Sequence, residues 1–255
     1  MLKISKYVLY DIVRNKVTIA YTLFLLLVSL GLFQMEENPS KAVLSLLNIV
    51  LIVVPLISLV FSTINWYNSY EFVELMLTQP ISRKKVILSE YIGTSTSLLS
   101  AFIIGVGVPI LLYQPDNTGL SLILIGCLLT LVFTSIAFLS SVQSKDKSRE
   151  IGVALMLWFY FALIFDGLLM MILFAFSDYP MEKFTLFLSS LNPIDLGRIF
   201  IMLQIDISAL MGYTGATYKE FFGSSLGLFY TIGIMLIWIA APLLIAIRSF
   251  DKKDL

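Results

Sequence analysis

The chain alternates between long apolar runs and short polar clusters. The apolar runs cover about Val17–Gln34, Ala42–Ile64, Ser89–Tyr113, Leu120–Val142, Ile151–Phe176 and Ser225–Ile247. Each is close to the roughly 20 residues that an α-helix needs to cross a hydrocarbon layer about 30 Å thick. The spacing therefore predicts six transmembrane helices. Pro55 lies inside the second run and predicts a kink there, which membrane helices tolerate. Gly105, Gly107 and Pro109 predict a bend in the third. Residues 36–41 and 114–119 read as tight polar turns.

Three stretches break the rule of span and turn. Residues 1–16 place Lys3, Lys6, Arg14 and Lys16 among apolar residues, with Ile4, Val8 and Ile12 four apart. This reads as an interfacial helix or as an ordinary extension of the first span. The first basic region is long and no small-residue cleavage site follows, so the first span is expected to remain as an anchor.

The second stretch, EFVELMLTQPISRKK at 71–85, is short and amphipathic. Glu71, Glu74 and Thr78 fall on one side at helical spacing, and Phe72, Val73, Leu75, Met76 and Leu77 fill the rest. Pro80 lacks an N–H and should end this helix, predicted over 71–79, or open a bend. Arg83 begins a run of three cations. The stretch reads either as an element on which another protein docks to move the membrane helices, or as an interfacial helix joining two spans.

The third stretch, 177–224, is the one long segment outside the spans. Pro180 could open a helix. Asn192 suits an N-cap, Pro193 the first helical position, and Asp195 the positive end of the helix. Asp195 and Arg198 are three apart and can pair. Leu196, Ile199, Phe200 and Leu203 would form an apolar face, Gly212 and Gly215 a break, and Thr217–Glu220 the capping box of the last helix. Two short amphipathic helices on the outer surface are expected, as a platform for a partner or as a lid over the helix ends.

Composition agrees with a membrane protein. Of 255 residues, 58% are hydrophobic and 13% charged. That is more apolar surface than a soluble domain can hide. Charge distribution sets the expected orientation. Lys3, Lys6, Arg14, Lys16, Arg83, Lys84, Lys85, Lys145, Lys147, Arg149, Arg248, Lys252 and Lys253 fall on one side of the six-span topology. Only Lys41, Lys183, Arg198 and Lys219 fall on the other. The positive-inside rule then places both termini and the 71–79 helix in the cytoplasm, and 177–224 outside.

Candidate chemistry is sparse. The formal net charge is zero, from 17 cations and 17 anions, which removes the basic surface that nucleic acid requires. There is no histidine, hence no imidazole metal site and no His-based triad. Cys127 is the single cysteine, so no disulfide forms within the chain; it reads as a small packing residue. Ten methionines could in principle hold a soft metal, but their scatter suits packing and lipid contact better. No Walker A loop or nucleophile–base pair occurs, so no catalytic or metal site is assigned, and an ATP-driven role requires a separate ATPase. Asp166 stands out as the one acid in the fifth run. A charge at mid-membrane costs about 2.5–3.5 kcal/mol on insertion scales. It reads as a gate, a cavity-lining group or a proton site, or else as a hydrogen-bonding partner of a Ser or Thr within 94–100 or 134–141. No Lys or Arg lies inside a span to pair with it.

Three passages together resemble the NosY family, the membrane subunit of the NosDFY ABC transporter, within the six-span ABC exporter permeases. ELMLTQPISR at 74–83 resembles the signature between spans two and three, with Phe72-Val73 where most members carry Gly-Thr. ALMLWFYFALIFD at 154–166 is similar to the fifth span of that family, aspartate included, and LNPIDLGR at 191–198 to its outer Asn-Pro-x-Asp-x-x-Arg stretch. The resemblance implies a multi-pass protein of the bacterial inner membrane that pairs with a second copy of itself. It implies two NosF-like cytoplasmic ATPases, carrying ATP and Mg, docked on Glu71, Phe72, Glu74, Leu75, Met76, Thr78, Pro80 and Arg83. It also implies a NosD-like periplasmic protein on 177–224, at Asn192, Pro193, Asp195 and Arg198, and a role in copper-site maturation of nitrous oxide reductase. The absence of His and of a clustered Met or Cys path argues against copper passing through this chain. A generic ABC exporter permease for a lipid, drug or other small substrate is the alternative. A secondary transporter using Asp166 is less well supported, since no inverted repeat shows in the hydropathy.

Overall fold

A computed structural model describes residues 15–36, 38–144, 146–176, 187–204 and 225–252. Nearly all of residues 1–16, together with Pro180, Gly212, Gly215 and the Thr217–Glu220 box, lies outside the described residues. Regular structure among the described residues is helical. This is what a lipid solvent dictates, because backbone N–H and C=O groups must find partners within the segment.

The helices are α1 (Lys16–Met35), α2 (Pro39–Asn68), α3 (Tyr70–Leu77), α4 (Arg83–Tyr113) and α5 (Asn117–Gln143). They continue with α6 (Lys147–Phe159, a π-turn at Tyr160–Ile164, then Phe165–Ala175), α7 (Pro193–Gln204) and α8 (Ser225–Lys252). Six of them, all but α3 and α7, are long and apolar enough to cross a membrane, as the hydropathy pattern predicts.

Polar turn residues start the spans earlier than the apolar runs suggest. Asn38 Oδ1 accepts from Ser40 N (3.0 Å) and Pro39 opens α2. Asp116 Oδ1 accepts from Gly119 N (2.8 Å), and Asp146 Oδ1 from Ser148 N (2.9 Å). Each satisfies a donor that the first helical turn leaves orphaned. Arg83, Lys84 and Lys85, which precede the predicted third span, form the first turn of α4. The expected bend at Gly105–Pro109 takes the form of a π-turn, Ile103–Gly107. At Pro55 helix α2 runs on unbroken, and Trp158 Nε1 of α6 donates to the Ile52 carbonyl three residues earlier (3.0 Å). An outside donor there serves a stretch of ladder that the proline loosens.

Helix α5 is the central post: 72% of its most apolar stretch is buried, against 17% for α6 and α8. Small residues let neighbours approach it. The Phe102 ring of α4 occupies the space beside Gly126, where an added Cβ would sit 2.1 Å from Cζ. Gly105, in the π-turn of α4, likewise lies against α1, with an added Cβ 2.6 Å from Leu25 Cβ. Such close backbone approach is how membrane helices gain packing energy without a hydrophobic drive.

Contacts at the two ends of the bundle fix the topology. At one end Lys147 Nζ donates to Asn68 Oδ1 (2.7 Å) and Lys84 meets Asp251 (3.4 Å). At the other, Phe33 stacks on Tyr113 (5.2 Å between centroids) and Gln114 Nε2 reaches Ser40 Oγ (3.4 Å). The start of α1, helix α3, the α5–α6 connection and the end of α8 thus share one end, the cation-rich one.

Candidate functional site

Helix α3 sits at the cation-rich end on an aromatic base. Val73 is fully buried in a cluster with Trp66 of α2, Val86, Ile87 and Tyr91 of α4, Phe138 and Val142 of α5, and Ala246 and Phe250 of α8. The Trp66 indole meets Phe138 and Phe250 edge-on at 5.4 and 5.5 Å. The outer face of α3 is the reverse. Glu71, Glu74, Leu75 and Thr78 are exposed, Leu75 at 65%, while Phe72 and Met76 are half-buried. The exposed residues recur at i, i+3, i+4 and i+7, one stripe of a helix. Thr78 closes the helix by donating Oγ1 to the Leu75 carbonyl (2.8 Å), and Pro80 lies exposed in the turn beyond. Arg83 Nη1 reaches the Asp251 carbonyl (3.4 Å), so the turn after α3 is tied to the end of α8. Of the eight residues that the resemblance assigns to docking, Glu71, Glu74, Leu75 and Thr78 form an outward stripe, Phe72 and Met76 lie partly inward, and Pro80 and Arg83 follow beyond the helix.

The second site is at the opposite end, where α7 folds against the bundle. Asn192 is fully buried and caps α7: its Oδ1 accepts from Ile194 N (3.0 Å). Its Nδ2 donates to Asp195 Oδ2 and to the Phe161 carbonyl, both at 2.8 Å. Phe161 belongs to the π-turn of α6. A π-turn inserts a residue into the ladder and leaves a carbonyl without its usual donor; Asn192 supplies one. Beyond the π-turn, Asp166 Oδ2 accepts from Arg198 Nη1 at 2.5 Å. Arg198 also faces Asp195 Oδ1 at 3.7 Å. Two acids and one base therefore share a pocket between α6 and α7. Asp195 is 2% exposed. Burial, helped by the negative charge of Asp166, pushes its pKa up to about 6 against the pull of Arg198 and Asn192. Helix α8 joins the site through Trp238 Nε1, which donates to the Ser190 carbonyl (3.0 Å), and Tyr230 OH, 2.6 Å from Ser190 Oγ.

These positions correct three expectations. Asp166 has an ionic partner after all: Arg198 comes from outside the spans, not from Ser or Thr of 94–100 or 134–141. The helix beginning at Pro193 does not lie on the outer surface. It is inserted, with Ile194 and Leu196 buried and Gly197 so close to α5 that an added Cβ would be 2.7 Å from Ile125 Cγ2. Asn192, Pro193 and Asp195, read as contacts for an outer partner, are accordingly buried within the chain.

Sequence reading passed over Glu90. It is the one carboxylate between Lys85 and Asp116, set in an otherwise uncharged run, and that isolation was the available signal. Among the described residues no group of three or more Cys, Asp or Glu side chains converges as a metal site.

Comparison with known proteins agrees with this architecture. The family model described as "ABC-2 family transporter protein" matches residues 48–255. The chain is similar to the probable ABC transporter permease protein NosY of Pseudomonas aeruginosa, at 28% identity over 234 residues, covering 82% of this chain and 84% of that one. It is also similar to the probable ABC transporter permease protein NosY of Stutzerimonas stutzeri, at 25% identity over 273 residues, covering 98% and 97%. The match takes in most of α2, all of α4, α5, α6 and α8, the α3 stripe and the α6–α7 cluster, and on it the chain belongs to the ABC-2 transporter family.

Proposed function

We propose that this chain is the membrane permease subunit of a NosDFY-like ABC transporter. It acts as a pair of identical copies, and each copy receives on α3 a separate cytoplasmic ATPase that binds ATP and Mg. The observation that carries the reading is the Glu71, Glu74, Leu75 and Thr78 stripe, exposed on a helix whose other face packs on α2 and α4 and sets Val73 into the cluster that also takes in α5 and α8. A partner pressing on that stripe pushes first on α2 and α4 and, through the Trp66 cluster, on α5 and α8. The positive-inside rule puts the stripe in the cytoplasm, where ATP is available.

The α6–α7 cluster is the corresponding output. The outer segment is fastened to α6 by the Asp166–Arg198 pair and the Asn192 cap, so reorientation of α6 reshapes the outer surface. A NosD-like periplasmic protein resting on the segment that includes α7 feels that change, and the assembly serves the copper-site maturation of nitrous oxide reductase.

Glu74→Lys is expected to cut recovery of the ATPase with affinity-tagged chain several-fold, with the amount of chain in the membrane unchanged. Full recovery would remove α3 as the docking element. Nitrous oxide reductase purified from cells lacking the chain is expected to be short of copper on metal analysis; a full complement would exclude the maturation role.

A further inference from the structure

Glu90 lies on α4, 1% exposed, at the cation-rich end of the bundle. Its Oε2 is 3.1 Å from Ser69 Oγ. Ser69 is the hinge residue between α2 and α3: it closes the first helix and opens the second, and its Oγ lies 2.8 Å from the Asn65 carbonyl. One turn deeper, Asn65 Nδ2 donates to Thr94 Oγ1 (3.1 Å). The two bridges join residues four apart on each helix in antiparallel register, 69 to 90 and 65 to 94. The Trp66 cluster packs alongside.

A buried carboxylate is a poor way to gain stability, since desolvation opposes it and an apolar residue of similar size packs as well. What it supplies is direction. Apolar surfaces can slide and pivot on one another, whereas a hydrogen bond fixes register and angle. The joint between α2 and α3 is where a push on α3 would otherwise be absorbed by bending. We infer that Glu90 is a positioning residue of energy coupling: with Ser69 it stiffens the α2–α3 joint against α4, so that displacement of α3 is passed to α4 and onward to the far end of the bundle. This rests on the reading of α3 as the ATPase docking helix.

The test uses the full chain with Cys127→Ser and Leu112→Cys, labelled with an environment-sensitive fluorophore at position 112 and reconstituted with its ATPase in nanodiscs. Position 112 is exposed at the end of α4 remote from α3. ATP is expected to shift the emission in the parent protein. In Glu90→Ala the ATPase should still co-purify, and the ATP-dependent shift should fall by at least half; Glu90→Gln, which keeps a polar bridge to Ser69, should restore it. Ser69→Ala removes one hydroxyl and is expected to reduce the shift as well, which decides the matter should Glu90→Ala fail to accumulate. A full shift in Ser69→Ala, or in Glu90→Ala, overturns the inference. ATPase retained by Glu74→Lys would instead strike at the docking role of α3, so the two failures read differently.

Discussion

At the scale of single residues, the chain settles an acid on a long apolar helix by bringing a base to it. Asp166 and Arg198 are 32 positions apart, and only the docking of α7 joins them. Removing the base alone should therefore hurt more than removing both. Arg198→Ala is expected to cost about 1.5–3 kcal/mol, the worth of a hydrogen bond to a charged group, and to lower the melting temperature in detergent. Asp166→Asn added to it should recover part of the loss; no recovery would mean the pair is not what holds α7. Asp195 gives a pH dependence of defined sign. Its carboxyl titrates near 6 in the folded protein, above the usual value of 3.8. The folded state therefore favours the neutral acid. That stabilisation is complete below pH 4 and is lost as pH rises through about 6. Hydrogen exchange of α7 amides, corrected for intrinsic rates, is expected to be slower at pH 5 than at pH 7.5, and Asp195→Asn should flatten the difference. The Asn192 cap and the oddity of Asp166 were both legible in the sequence, because caps and intramembrane charges are local signals. The partner was not. Spacing favoured Asp195 for Arg198, and the folded chain gives it Asp166 at closer range.

At the scale of elements, legibility followed the same division. Helix α3 ends before Pro80, as a missing N–H requires, and its polar stripe faces out as drawn from the spacing. The inserted position of α7 was hidden, because an amphipathic helix looks alike whether its apolar side meets lipid or a bundle. The π-turns were hidden too, since one extra residue in a ladder leaves no mark in hydropathy. Glycines show where the elements are pressed together. Gly105→Val should force α1 from α4 and destabilise the protein by about 1–3 kcal/mol, the usual cost of overpacking. Gly31→Ala, with nothing within 4 Å of its added Cβ, should be neutral or slightly stabilising. Equal melting temperatures for the two variants would contradict the packing described for the α4 π-turn.

At the scale of the whole molecule, every described connection falls at one end or the other, and the cations gather at the end that carries α3. With Cys127→Ser, a cysteine at Gln79 is expected to react with a membrane-impermeant maleimide only in inverted vesicles, and one at Asp116 only in intact cells. The opposite pattern would turn the machine over. The outer faces of α6 remain apolar and uncovered within one chain, Met156, Met171 and Phe174 at 77%, 71% and 86% exposure, which suits lipid or the second copy. The π-turn of α6 also works as an expansion joint. It takes up one residue more than a regular α-helical turn holds, so the two halves of α6 keep their facing while a carbonyl is left over for Asn192. Deleting a single residue there is expected to close the joint, take the Phe161 carbonyl back from Asn192 and loosen the seat of α7, with the shaft of α6 itself intact.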